Sequence, residues 1–412
     1  MDDALPVNRP SALRHGRAAL AVSFFAQGAL FAMLVTRIPA IQDRYGISDG
    51  LLPVFLAAVP ILAGAGSVAT EQLVRRVRPS VVLRWVQPVV GLVLVGLGAG
   101  DRMWTAAVTL ALFGVCVGGL DASMNMLGVS LQREYGQSIM LGFHASYSLG
   151  GIIGASLAWS GAHWHVSLLA MYGPAVLVLI PLTLTASRWY RDAQSGTALT
   201  QGRPDGTAED GAQQVVMRVL LPLCLVMAFA YIGDSTVSNW SAKYLQDTLH
   251  SSEQLSTVPY AVYMVTTLIG RSVGDFGVRR FGAVPVVRLG TVVAMAGFAV
   301  VAVAPGAWVG MLGFTLLGLG LCVIVPQTFA AAGRLFPGAS DSAIARLNIF
   351  NYVGFLVGSP LVGALGDAWS YRWAMLVPMA LVGATLFYAR TFAAEPAGYG
   401  VGHERPRTVD VG

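Results

Sequence analysis

Twelve apolar runs, each about as long as a bilayer's hydrocarbon core is thick, constrain this chain more than any other feature. They fall at roughly 18–40, 50–70, 81–100, 104–131, 139–161, 165–187, 217–240, 254–275, 285–304, 308–333, 342–366 and 371–392. About 20 residues of helix span the ~30 Å of hydrocarbon. With no water there to satisfy N–H and C=O groups, such a run must bond its own backbone, which means a helix. The residue balance agrees: 55% of the 412 residues are apolar and 11% charged, where a soluble domain carries about a quarter charged. Arg9, Arg14 and Arg17 ahead of the first run imitate a signal peptide. That run, Ala18 to about Val35, is too long for an h-region and further spans follow, so it reads as a retained first helix.

The basic excess of +5 is almost all arginine, and Lys243 is the single lysine. The arginines are scattered through short loops and form no continuous stripe, which argues against a nucleic-acid partner. Arg75, Arg76, Arg78, Arg133, Arg188, Arg191, Arg279, Arg280 and Arg334 fall on the side shared with both termini; the opposite loops hold fewer basic residues mixed with acids. The positive-inside rule therefore places both termini in the cytoplasm of a multi-pass protein of the cytoplasmic membrane. Cys116, Cys224 and Cys322 each sit inside an apolar run and read as small core residues. His163 and His165 in an outer loop lack the further ligands a metal needs, and no phosphate-cradling GxxxxGK[ST] loop is present, so no metal, cofactor or ATP hydrolysis is expected.

An internal repeat organises the runs. An offset of 204 takes Gly66, Glu71, Arg75, Arg76 and Arg84 onto Gly270, Asp275, Arg279, Arg280 and Arg288. The same offset takes Gly150 and Gly154 to Gly354 and Gly358, and Ala170, Met171 and Pro174 to Ala374, Met375 and Pro378. Two parallel six-helix repeats are the form expected of a transporter with one cavity between two bundles. The expected division is a cytoplasmic tail at 1–17, a bundle at 18–187, a cytoplasmic linker at 188–216, a second bundle at 217–392 and a tail at 393–412.

Gly270-Arg-Ser-Val-Gly-Asp275-Phe-Gly-Val-Arg279-Arg280-Phe-Gly282, with a decayed twin at Gly66 to Arg78, resembles the cytoplasmic signature of the major facilitator superfamily. The resemblance covers essentially the whole chain. It implies an all-α membrane fold of twelve transmembrane helices in two parallel six-helix repeats. It also implies a cytoplasmic gate built from Glu71, Arg75, Arg76, Arg271, Asp275, Arg279 and Arg280. Leu120-Asp121-Ala-Ser-Met-Asn125, followed by a span carrying His144 and Gly150, is similar to the fucose-permease-like branch of sugar–proton symporters. In that branch the helix-four acid works with a helix-one aspartate, a position held here by Val35. Asp234 with Asn239-Trp240-Ser241 resembles an uncharacterised bacterial subgroup of the same branch.

Asp121 and Asn125, at i and i+4, share a helix face. Asp121 lies ~18 Å into the membrane, counted from Arg133. An ionised carboxylate there costs roughly 2.5–3.5 kcal/mol, and protonation relieves that cost, so Asp121 is the first candidate proton carrier. Its twin is Val325 and that of Asn125 is Phe329, so the fold needs neither polar group. Asp234 and His144 are the candidates to assist in proton coupling. His144 and Tyr147 have polar twins in Asn348 and Asn351, which suggests two walls of one cavity. Gln27, Asn125, Tyr147, Asn239, Trp240, Gln327, Asn348, Asn351 and Tyr352 are the expected solute-binding residues. The expected function is proton-coupled secondary transport of a small polar solute, a sugar or related metabolite, by a monomer in the bilayer. Drug efflux and, more remotely, an intramembrane enzyme using Asp121 and His144 are the other readings open at this point.

Overall fold

The computed structural model describes residues 9–48, 51–192, 206–252, 255, 258–336 and 338–393. Parts of the two expected tails (1–8 and 394–412) and of the linker (193–205) lie outside the described residues. The first half contains α1 (Arg9–Thr36), α2 (Leu52–Leu73), α3 (Pro79–Ala99), α4 (Met103–Tyr135), α5 (Met140–His163) and α6 (Leu168–Ala186). The second contains α7 (Gly206–Lys243), α8 (Val258–Phe281), α9 (Ala283–Val303), α10 (Ala307–Leu335), α11 (Ser340–Ala368) and α12 (Tyr371–Phe392). Nine of these have both the length and the apolarity to cross a membrane, among the described residues. The other three, α2, α5 and α8, have 22, 24 and 24 residues, which is length enough.

Two boundaries differ from the sequence reading. The first run, expected to reach residue 40, breaks at Arg37, and a separate short helix, Ile38–Tyr45, follows. Gly46 ends that helix at φ 62°, its N–H donating to the Asp43 carbonyl and the Ile47 N–H to that of Gln42. At the centre of the chain, α7 begins at Gly206, inside the segment assigned to the linker. The helix α10 is also interrupted, at Cys322–Val323. Pro326 has no N–H to offer the Cys322 carbonyl four residues back, so the interruption falls where the ladder loses a rung.

The two halves pack alike. In the first, α1 lies against α5, α2 against α4 and α3 against α6; in the second, α7 lies against α11, α8 against α10 and α9 against α12. Glycines fix the closest of these contacts. A Cβ on Gly150 or Gly154 would stand 2.0 or 2.3 Å from the carbonyl oxygens of Phe25 and Ala29 on α1. A Cβ on Gly354 would stand 2.4 Å from the Ala228 oxygen on α7, and one on Gly358 2.1 Å from the Ser235 hydroxyl. The repeated glycines therefore let backbones touch, the small-residue packing available to helices in lipid.

Between the halves, α2 packs on α11 and α5 on α8. The polar ties cluster toward the arginine-rich face. Asp275 of α8, buried, accepts hydrogen bonds from the Ser138 hydroxyl at 2.6 Å and the Gly142 N–H at 2.9 Å, with the Leu141 N–H at 3.4 Å. Those N–H groups belong to the first turn of α5, which has no helical acceptors for them and carries the positive end of the helix dipole. Asp275 thus caps a helix of the opposite bundle. Its twin Glu71, on α2, meets the first turns of α11, accepting from the Ser342 hydroxyl and pairing with Arg346 at 3.2 Å. Arg279 donates to the Ser138 carbonyl at 2.7 Å and Arg133 to the Ser340 hydroxyl at 2.8 Å. Of the expected gate residues, Glu71, Arg271, Asp275 and Arg279 join the two halves. Arg75 and Arg76 are exposed, and exposed Arg280 lies over the ring of its neighbour Phe281 at 5.4 Å.

Two outcomes test this packing. Gly154→Leu should lower the melting temperature in detergent, with a cost of about 1–3 kcal/mol or more, whereas Gly173→Ala, where a Cβ meets nothing within 4 Å, should leave it unchanged. In a background with the native cysteines replaced, Asp275→Ala should speed thiol labelling at Ala345→Cys, a fully buried position, by about tenfold. Equal labelling rates would mean the cap does not hold that face closed.

Candidate functional site

The site begins at Asp121, fourteen residues before the end of α4 and so ~21 Å from it along the helix axis. Its two carboxylate oxygens have different partners. Gln27 of α1 donates its side-chain N–H to Oδ1, and Tyr352 of α11 donates its hydroxyl to Oδ2. One carboxylate in the middle of the molecule is thus held from both bundles. Asn125, one turn along, donates to the Asp121 carbonyl at 2.9 Å, and its own Oδ1 is buried without a protein partner. Stepping one turn back from Tyr352 on α11 reaches Asn348, fully buried with both amide atoms unpartnered.

A second carboxylate lies on the other side. Asp234 of α7 accepts from the Tyr263 hydroxyl of α8 at 2.5 Å. Tyr231 is within electrostatic reach of both Asp121 and Asp234, as is Tyr147 of α5, which also reaches Tyr260. Tyr260 is 42% exposed and lies near the end of α8 remote from Arg279 and Arg280. Asp121 with Tyr352, Asp234 with Tyr263, and Tyr147 and Tyr231 within reach of both acids make up one polar site between the halves, the tyrosine pocket. Every aromatic ring named there carries a hydroxyl, so the lining offers stacking faces and hydrogen-bond groups together.

The other sequence-nominated residues divide. Tyr147 and Tyr352 are in the pocket, and Gln27 reaches it through Asp121. Asn351 is buried beside Tyr352 on α11. His144 has no hydrogen bond to Asp121. Its ring sits between Phe24 and Phe329, at centroid distances of 5.3 and 6.2 Å, with Nε2 unpartnered. Gln327 is buried nearer the closed face, reaching the Ser138 hydroxyl at 3.5 Å. Asn239 bonds back to the Ser235 carbonyl of its own helix at 2.9 Å. Trp240 spends its indole N–H on the Ser359 carbonyl of α11 at 2.9 Å and stacks against Tyr371. Tyr260 and Tyr263 were not nominated from sequence. An aromatic pair at i, i+3 in an apolar run has the same pattern as core packing, and only Asp234 opposite distinguishes it.

Comparison with known proteins agrees with this architecture. The family model of the Major Facilitator Superfamily matches residues 223–407. An uncharacterised transporter of that type from Yersinia pestis is 27% identical over 354 residues, covering 84% of this chain and 88% of its own. The uncharacterised transporter y4wD of Sinorhizobium fredii is 24% identical, covering 86% and 92%. Among solved structures, the transporter FucP in its outward conformation superposes with a TM-score of 0.75 at 16% identity, covering 92% of this chain and 98% of FucP. At that identity the likeness is one of fold. The matched model lies in the second half, and the first half repeats its helix packing. The second half of the chain matches the Major Facilitator Superfamily model, and nearly the whole chain shares the fold of a solved transporter of that superfamily.

Proposed function

We propose that this protein moves a small polar solute across the cytoplasmic membrane by alternating access, coupled to a proton carried on Asp121. The observation that carries the reading is the double grip on that carboxylate, from Gln27 in one bundle and Tyr352 in the other. Both partners are donors, so the arrangement suits the ionised acid. Protonation removes the charge and occupies one oxygen with a hydrogen that must itself be donated, which weakens the tie between bundles. Proton uptake and separation of the bundles then act on the same bond. This supplies a coupling element although the helix-one acid of the fucose-permease-like branch is replaced by Val35.

Under the positive-inside rule, both termini and the central linker lie in the cytoplasm. The capped face formed by Asp275 and Glu71 is then the closed cytoplasmic gate, and the tyrosine pocket is open outward. Asp121, Tyr147, Asp234 and Tyr352 are the proposed solute and proton residues, with Gln27 positioning the acid. Hydroxyl-bearing rings favour a polar solute over the purely apolar faces that drug efflux would use.

The test is purified protein sealed in vesicles under an imposed pH gradient, with labelled sugars, organic acids, amino acids and amphiphilic drugs offered in turn. A solute should accumulate above equilibrium, and Asp121→Asn should reduce this to simple equilibration. Retained accumulation in that variant would end the role of Asp121 as carrier. Tyr352→Phe keeps the acid but deletes its donor from the other bundle. Distances between spin labels on the two bundles should then shift toward the state with the arginine-rich face open, by about tenfold in population.

A further inference from the structure

The pocket holds a charge that the proton mechanism does not use. Arg271 lies ten residues before the end of α8, ~15 Å from it. A guanidinium so deep is costly and wants an anion. Among the described residues it has none: no nitrogen of Arg271 comes within 4.0 Å of a carboxylate oxygen. Its hydrogen-bond partners are all neutral. Nη1 donates to the Ser148 hydroxyl at 2.7 Å and the His144 carbonyl at 3.4 Å; Nε faces the Cys322 carbonyl at 3.4 Å. Among the described residues Nη2 has no hydrogen-bond partner.

The opposite charge is close but held apart. Asp234 is the carboxylate within electrostatic reach of Arg271, and it is turned onto Tyr263. Tyr231, Tyr260 and Tyr263 each sense both groups. Two opposite charges in a low-dielectric interior attract strongly, yet here they form no ion pair, and Asp234 is bonded to Tyr263 instead. The repeat removes a fold explanation. Arg271 maps to Ser67, which makes the same kind of cross-bundle contact, to the Ala345 carbonyl at 2.9 Å, without a charge. Asp234 maps to Leu30.

Resting on the transport reading above, we infer that the solute is a small zwitterion of the amino-acid type, its carboxylate held by Arg271 and its ammonium by Asp234. A ligand with both charges completes two ion pairs and adds no net charge, whereas an anion or a cation alone leaves one pocket charge uncompensated. Neutral sugars leave both. The proton on Asp121 is then free to serve coupling, since the solute asks no charge of it. Tyr231 and Tyr260 supply the faces and hydroxyls around the ligand.

The test uses full-length protein in detergent, reading the melting temperature and binding of the twenty standard amino acids, with L-fucose and D-glucose as uncharged probes. At least one amino acid should stabilise the protein. Its carboxamide, lacking the carboxylate, should bind roughly ten- to a hundredfold more weakly, and its deaminated acid should lose as much. Arg271→Gln should bind parent and carboxamide equally, Asp234→Asn should bind parent and deaminated acid equally, and Arg271→Lys should recover part of the loss. If no amino acid binds, or if a sugar binds and amino acids do not, the inference is wrong. So it is if the carboxamide binds wild-type protein as well as its parent. Gradient-driven movement of a sugar in vesicles would then leave coupled transport standing, while absence of movement for every solute would count against the transport reading itself.

Discussion

Asp121 is the point on which the two halves agree. A carboxylate near the bilayer middle must have its charge met, and here the donors come one from each bundle. Were both in one bundle, the acid would be a local packing device, indifferent to how the bundles stand. Because Tyr352 belongs to α11, the proposed mechanism would link the protonation state of Asp121 to the separation of the halves through that hydrogen bond. The ties named between the halves all lie between this bond and the arginine-rich face, so it stands at the inner limit of the pocket.

Below it, closure follows a rule of helix ends rather than of charge pairs alone. Any helix leaves N–H groups unsatisfied in its first turn. In α5 these are met by Asp275, from a helix that must move if the face opens. The acid at the twin position meets α11 through a serine and an arginine instead. The same offset thus delivers an acid to the same place twice, and the receiving helix decides how it is used. The side chains that receive Glu71, Ser342 and Arg346, are in neither the signature loop nor its twin.

Much of the fold was legible from the chain because bilayer length and the repeat are both one-dimensional signals. Twelve runs, the glycine pairs and the signature loops are read by counting. The helix breaks were harder. Arg37 ends α1 four residues early, and Pro326 interrupts α10 in a run whose hydropathy stays high throughout. At the site, the offset separates Asp121, which has an apolar twin, from the glycines, which recur and are where the helix backbones touch. It treated His144 with Tyr147, and the structure parts them: three residues apart on α5, one ring enters the pocket and the other lies between two phenylalanines. Residue type could not show this, because imidazole fits either place. Tyr352 was found from its position on α11, but that its hydroxyl would cross to Asp121 depends on how α4 and α11 meet, which sequence spacing within either helix does not encode.

The broken rung in α10 connects these parts. Pro326 leaves the Cys322 carbonyl without its helical donor, and the nearest N–H turned toward it is that of Arg271. The same guanidinium holds α5 at Ser148 and lies within electrostatic reach of Asp234. Arg271 therefore touches a helix of each bundle and the pocket at once, four residues from the acid that caps α5. An anion placed on the free nitrogen would compete for a guanidinium now spread over two carbonyls and a hydroxyl. Any gain it made there would come partly from contacts that hold α5 against α8. Filling the pocket and loosening the closed face are in this way drawn on one side chain, while protonation of Asp121 acts on a different bond. On the proposed mechanism the solute and the proton would then loosen the closed face in two separate steps, as coupling by alternating access requires: neither alone need open it.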